Sequence, residues 1–336
     1  MGSGNKQTNY LLGIDIGGTK LAVGVVTPEG RVVAQERIPT QVEEGPERVI
    51  ARLQGLCHAA VTAAGITWDQ IRACGVGCGG PLDPERGVVM NPPNLPGWVE
   101  VPLVQILADA FGRPVYLDND ANAAALAEHR FGAGRGVQNM VYLTISTGIG
   151  GGIILGGRLY SGETGNAGEI GHMSVVYNGR PCNCGGRGCL EAYASGPSIA
   201  ARAREAVEAG EPSLLLDLAG SPDGITGETI KEALLRGDPL ARRIWDETME
   251  ILGAGLASVI NIFNPRRIVL GGGMTNYGDL LFEPVRRIAR ARAMRPLAEP
   301  VDIVPAQLGN DVGILGAAAV VLERLESRAA EVGSHV

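Results

Sequence analysis

Two short apolar runs, Tyr10 to Ile16 and Leu21 to Val26, flank the turn residues Gly17-Gly18-Thr19, and Pro28-Glu29-Gly30 leads towards a third run. Apolar runs of this length bounded by turn residues predict an antiparallel meander. From Pro46 to Gly65 the period changes: Val49, Leu53, Leu56, Ala60 and Ala63 recur every three or four residues and predict one apolar helix face. A strand from Ile71 to Val76 follows. The stretch from Gly77 to Gly97 is rich in Gly, Pro and Asn and predicts a long loop, a kind of segment that is usually functional inside a compact domain. Val115 to Leu117 predicts a strand running into Asp118-Asn119-Asp120, and Ala121 to Arg130 has the composition of a helix. The acidic triplet therefore stands at a strand-to-helix junction.

The opening pattern then recurs. A strand from Val141 to Ile145, a turn Thr147-Gly148-Ile149-Gly150-Gly151-Gly152 and a strand starting at Ile153 repeat the order of the first residues, so two halves built alike are expected. Ile244, Thr248, Leu252, Leu256, Val259 and Phe263 predict one face of a long helix that stops at Asn264-Pro265. Arg267 to Leu270 reads as a strand entering Gly271-Gly272-Gly273. A last helix, about Gly313 to Ser327, is expected to pack on the N-terminal lobe.

At 336 residues the chain suits two α/β lobes. With 29 Lys plus Arg against 36 Asp plus Glu it has no bulk basic surface, which argues against nucleic acid as a partner. Only three lysines occur, Lys6, Lys20 and Lys231, and no Gly-Lys pair exists, which excludes the G-x-x-x-x-G-K-[ST] phosphate loop. The longest apolar run, Val312 to Leu322, is too short for a membrane span, and the polar start at residues 1–9 lacks a secretory core. A soluble cytoplasmic protein with no membrane partner is the expectation.

The two glycine turns carry the first candidate chemistry. Tight turns without side chains let backbone N–H groups reach an anion, and a threonine hydroxyl adds a donor, so a pair of them suits phosphates. Asp15 beside the first turn suits a water-mediated hold on nucleotide-bound Mg²⁺, although a turn-initiating aspartate is the plainer reading. Gly271-Gly272-Gly273 has room for a flat base or ribose. Gly75-Val76-Gly77-Cys78-Gly79-Gly80 matches G-x-G-x-x-G, but Pro81-Leu82-Asp83-Pro84 follows it where a dinucleotide site needs a helix.

Asp120 is the candidate catalytic base, set against an ordinary N-cap aspartate whose pKa the helix terminus would lower. His172 with Cys182, Cys184 and Cys189 makes a Cys₃His set, the donor pattern of a closed structural Zn²⁺ site. Glu169 and Glu191 lie a short step from those ligands, where a metal-fixed backbone could present them to sugar hydroxyls. His58 and His129 fall on predicted helices and read as structural.

Taken together, Asp15-Ile16-Gly17-Gly18-Thr19, Asn119-Asp120-Ala121-Asn122, Thr147 to Gly152, Glu169-Ile170-Gly171-His172 and the cysteine cluster running into Leu190-Glu191 resemble the ROK family of bacterial sugar kinases and regulators, from about Tyr10 to about Leu325. The resemblance implies an α/β, ribonuclease H-like fold of the actin/hexokinase type, with two lobes and an interlobe active-site cleft. Residues 1–120 plus about 305–336 would form the small lobe, and about 121–304 the large lobe with the zinc. It implies a homodimer or homotetramer.

It also implies ATP-dependent phosphorylation of a hexose, with Asp120 as base on the 6-hydroxyl. Gly80, Asn119, Asp120, Glu169, His172 and Glu191 would hold the sugar, and Asp15, Gly17, Gly18, Thr19, Lys20, Thr147, Gly148, Gly271 and Gly272 would hold ATP. Pro93-Asn94-Leu95-Pro96-Gly97-Trp98 looks like the matching stretch of the family's glucokinases, which favours glucose, whereas Ser146 departs from the glycine many members carry before the threonine. N-acetylglucosamine or N-acetylmannosamine is the alternative substrate. A sugar-responsive regulator is less expected, since about nine residues before the first strand leave no room for a helix-turn-helix domain.

Overall fold

The first meander forms as its apolar runs predict, with β1 (Tyr10–Ile16), β2 (Lys20–Val26) and β3 (Val32–Pro39) antiparallel. These coordinates are a computed structural model, which describes residues 10–333; the polar start at residues 1–9 lies outside them. Pairing Leu12 with Val25, Ile14 with Val23 and Ile16 with Leu21 puts one set of alternate side chains on a single face. Helix α1 (Pro46–Ala63) covers that face with Val49, Leu53, Leu56 and Ala60. Each fully buried Leu or Val there contributes about 1.5–3 kcal/mol of transfer free energy.

Strand β4 (Ile71–Cys78) pairs in parallel with β1. The expected loop beyond it contains a small hairpin of β5 (Leu82–Asp83) and β6 (Val88–Val89), too short to leave a period in the sequence. Helix α2 (Leu103–Phe111) was not expected; Leu103, Leu107 and Phe111, four residues apart, are its buried face. Strand β7 (Val115–Asn119) completes a five-stranded sheet in the order β3-β2-β1-β4-β7 and leads into α3 (Asp120–Phe131).

The second half repeats this plan. Strands β8 (Met140–Ile145), β9 (Ile149–Leu155), β10 (Arg158–Leu159), β11 (Arg267–Gly271) and β12 (Asp302–Pro305) form a sheet in the order β10-β9-β8-β11-β12, the same arrangement strand for strand. Between β10 and β11 lie α4 (Glu191–Ala194), α5 (Gly196–Glu208), α6 (Leu215–Ala219), α7 (Gly227–Leu235) and α8 (Pro239–Phe263). The long helix starts at buried Asp238, whose Oδ1 accepts from Ala241 N at 2.8 Å, and ends at Asn264 in a left-handed conformation with φ 44°. After β11 come α9 (Asp279–Arg292) and α10 (Arg295–Ala298), and α11 (Val312–Gly333) closes the chain.

Packing separates two units: described residues 10–138, 152–168 and 306–333 in the first, and 139–151 with 169–305 in the second. The division expected at residue 120 falls elsewhere, because α3 lies against α11 in the first unit. The last helix does return to the N-terminal strands, as expected, and small residues make that approach possible. A Cβ on Gly75 would sit 1.8 Å from the Ala317 carbonyl oxygen, so only glycine fits beneath the helix. This explains the G-x-G-x-x-G match: its first glycine accommodates α11, and no helix begins after its last.

Candidate active site

In the first unit the β1–β2 turn is held from behind. Buried Thr40 donates its hydroxyl to the Gly17 carbonyl at 2.6 Å, and its N–H donates to the Thr19 carbonyl at 3.0 Å. Asp15 projects from the strand just before that turn, opposite Ala22 of β2 and Gly77 of β4. Burial, reinforced by the charge of Asp120, lifts its carboxyl from 3.8 to about 6, against the opposing pull of Lys20 and Arg37. Lys20 opens β2 and is exposed.

At the β7–α3 junction the cap is Asn119 and not Asp120. Asn119 Oδ1 accepts from Ala121 N at 2.8 Å and Asn122 N at 3.4 Å. Beneath it, buried Asp118 accepts from Asn119 N at 2.8 Å and from Asn122 Nδ2 at 2.9 Å, which fixes the turn. Asp120 is thereby freed to present its carboxylate to solvent as the first helical residue. The expected lowering of its pKa does not occur: the protein packed around it raises the carboxyl above its ordinary value, outweighing the Ala121 N–H that favours the charged form. Gly80 lies beside the same cap, since a Cβ there would come 3.5 Å from Asn119 Nδ2. Asp15, Gly80, Asn119 and Asp120 are thus brought together within one unit.

The second unit assembles the other glycine turn. Ile149 N donates to Glu191 Oε2 at 2.7 Å, and a Cβ on Gly148 would meet that same oxygen at 2.7 Å. Glu191, expected as a sugar contact, therefore also braces the Thr147-Gly148 turn. Gly196 N donates to the Ser146 carbonyl at 2.9 Å, which sets the N-terminus of α5, capped by Ser195, at the turn. A helix N-terminus with backbone N–H groups around it favours an anion.

From this turn a cavity of about 770 Å³ extends, lined by Thr147, Gly196, Arg204, Lys231, Gly273 and Tyr277 among others. Its size is that of a ligand pocket, typically about 300–1,000 Å³. Gly273 reaches the cavity, whereas Gly271 and Gly272 pack on Tyr142 and Ile145 of β8. Nothing in the sequence marks Arg204, Lys231 or Tyr277, because single charged or aromatic residues are indistinguishable there from a solvated face.

The Cys₃His set also converges in the second unit. The donor atoms of His172, Cys182, Cys184 and Cys189 all lie within 4.8 Å of one another. Backbone bonds from Cys182 N to Gly186 O at 2.9 Å and from Gly185 N to Cys182 O at 3.0 Å curl the cysteine loop back on itself. His172 Nδ1 is 3.6 Å from Cys182 Sγ, and Cys184 Sγ is 3.7 Å from Cys189 Sγ. The edge of a tetrahedron with Zn–S bonds of about 2.3 Å is roughly 3.8 Å, close to these two separations. His172 Nε2 faces away from the thiols, 3.8 Å from Glu169 Oε2. His58 and His129 play structural parts: His58 Nδ1 accepts from Trp68 Nε1 at 2.9 Å, and His129 Nε2 bonds the Val137 carbonyl at 2.8 Å.

The sequence matches the ROK family over residues 11–324. It is 40% identical to the glucokinase of Thermotoga maritima, over 94% of this chain and 98% of that protein. The structure of a ROK hexokinase from Thermus thermophilus superposes with a TM-score of 0.79 at 38% identity, covering 94% of this chain and 99% of the other. That of a ROK family glucokinase from Streptomyces griseus, in complex with glucose and AMPPNP, gives a TM-score of 0.76 at 39% identity, with 92% and 98% covered.

Proposed function

Since the chain belongs to the ROK family, with its ribonuclease H-like fold of the actin/hexokinase type, we propose that it transfers the γ-phosphoryl group of ATP to the 6-hydroxyl of glucose. The observation that carries this reading is Asp120: a solvent-facing carboxylate, held by the Asn119 cap and raised in pKa, placed to orient and deprotonate a hydroxyl. A loose phosphoryl-transfer transition state asks mainly for an oriented acceptor, with the proton leaving late, so a modestly basic carboxylate suffices.

ATP is assigned to the cavity that starts at Thr147 and Gly148, with its phosphates at the α5 N-terminus. Gly17, Gly18, Thr19 and Lys20 supply the first-unit phosphate contacts, and Gly271 and Gly272 shape the turn that carries Gly273 into the cavity. Asp15 is the residue that would hold Mg²⁺ through water; the bound cation would offset charge on the phosphates. Zinc fits the donor set of His172, Cys182, Cys184 and Cys189, since three thiols this close need a divalent cation to ionise together. With Nδ1 turned to the thiols, His172 keeps Nε2 for the sugar; Glu169 and Glu191 are the other sugar residues assigned in the second unit, and Asn119 and Gly80 those assigned in the first.

Replacement of Asp120 by Asn, at unchanged glucose affinity by calorimetry, should lower kcat at least about a hundredfold. Near-normal turnover would remove Asp120 from the chemistry. Comparing kcat/KM for glucose, N-acetylglucosamine, mannose and fructose tests the sugar: glucose is expected to lead, and preference for an N-acetylhexosamine would replace it.

A further inference from the structure

The face of α5 that enters the 770 Å³ cavity is made by Gly196, Pro197, Ala200 and Arg204, spaced so that they share one side of the helix. The first of these is fixed at the phosphate turn by the Gly196 N to Ser146 O bond. Arg204 comes eight residues later, about 12 Å along the axis at 1.5 Å per residue. It therefore stands at the end of the cavity away from the transferring phosphoryl group.

Two nearby cations are engaged. Arg202 binds Glu247 at 2.6 Å and the Thr248 hydroxyl at 2.9 Å. Lys231, across the cavity, donates to the Asn276 carbonyl at 2.6 Å. Arg204 differs: among the described residues it takes part in no hydrogen bond or ion pair, and its Nε is shut off from solvent without an acceptor. Leaving a buried donor unmet costs about 1–3 kcal/mol, and more for a charged group.

Resting on the assignment of this cavity to ATP, we infer that Arg204 is a specificity residue for the phosphoryl donor, gripping the nucleoside half of the nucleotide. A guanidinium combines a flat face, which stacks on a base, with a fork of N–H donors for ring nitrogens or ribose oxygens. The arriving nucleoside would satisfy the orphaned Nε, and Asp223 and Glu228 in the same lining offer acceptors for ribose hydroxyls.

Titration calorimetry of the wild-type protein, Arg204→Ala and Arg204→Lys with three probes, MgADP, adenosine and inorganic tripolyphosphate, tests this. Arg204→Ala should weaken ADP and adenosine by the same factor, about tenfold, and leave tripolyphosphate unchanged. In turnover the loss should fall on KM for ATP rather than on kcat or KM for glucose. Arg204→Lys keeps the charge but not the planar fork and should bind like the alanine variant. Unchanged adenosine binding in Arg204→Ala overturns the proposal, as does an equal loss for tripolyphosphate, which would move the arginine to the phosphates, or full ADP affinity in the lysine variant. A wild-type protein that binds no ADP would overturn the donor reading of the cavity itself, a result distinct from wild-type binding that Arg204→Ala leaves intact.

Discussion

Burial and the charge of Asp120 both raise the cost of ionising Asp15, whereas the carboxyl of Asp120 is raised by the protein around it against a backbone N–H that favours its charged form. Asp15 is the more informative because its folded pKa, about 6, lies well above 3.8. The folded protein therefore holds this proton more tightly than the unfolded chain does. The stability it lends is complete below about pH 3.8, declines as pH rises, and is gone above about 6. In Asp15→Asn the side chain stays neutral, so the ligand-free, metal-free variant should match the wild-type melting temperature near pH 4 and exceed it above pH 6. A constant difference across that range would mean that Asp15 does not titrate as described. The same variant should lose affinity for MgATP, the opposite sign, because the charge that burdens the empty site is the one a cation needs. Both aspartates were legible in the sequence as members of motifs. Their environment was not, since the helix terminus alone predicts a lowered pKa for Asp120 and desolvation by the surrounding protein outweighs it.

Among the elements, α3 shows how one buried side chain can organise several chain segments. Glu128 near its C-terminal end is fully buried and accepts from Gln307 N and Leu308 N, each at 2.9 Å, through Oε1, and from Ala133 N at 2.7 Å through Oε2. The segment entering α11 and the segment leaving α3 are thus fastened to one carboxylate. Glu128→Ala would strand three amides, at about 1–3 kcal/mol each, so a loss of at least about 3 kcal/mol is expected in urea unfolding. Glu128→Gln retains one acceptor oxygen and should recover part of it. A loss below about 1 kcal/mol would show that water replaces the carboxylate. Nothing in Ala127-Glu128-His129 marks this glutamate, because two of its three partners, Gln307 and Leu308, lie 179 and 180 residues away. Elements with a strong period or a terminal signal, such as α1 and α8 with its Asn264-Pro265 stop, were legible for the opposite reason: their causes are local. The α2 helix and the β5–β6 hairpin are too short for a period to stand out.

At the level of the whole molecule, the duplication was visible because the glycine turn with its flanking strands recurs, whereas the order of five strands in each sheet depends on parallel pairings that leave no local trace. The convergence of His172, Cys182, Cys184 and Cys189 was legible for a related reason. Ligand chemistry constrains residue type and spacing directly, and beyond its backbone hydrogen bonds the loop from Cys182 to Cys189 has few buried side chains to stabilise it: Cys184 and Gly185 to Arg187 are exposed. Binding energy for a metal assembled in this way is folding energy. One zinc per chain should therefore be found in protein purified without chelator, and its removal at neutral pH should lower the melting temperature and raise KM for glucose, because His172 and Glu169 are held through the metal site. ADP binding should persist, since the α5 terminus is tied to Ser146 by a bond of its own. The three measurements separate the possibilities. Metal-free protein with unaltered melting and glucose kinetics would dismiss the zinc as a working part, and loss of ADP and glucose binding together would show that the metal supports the whole second unit rather than its sugar contacts.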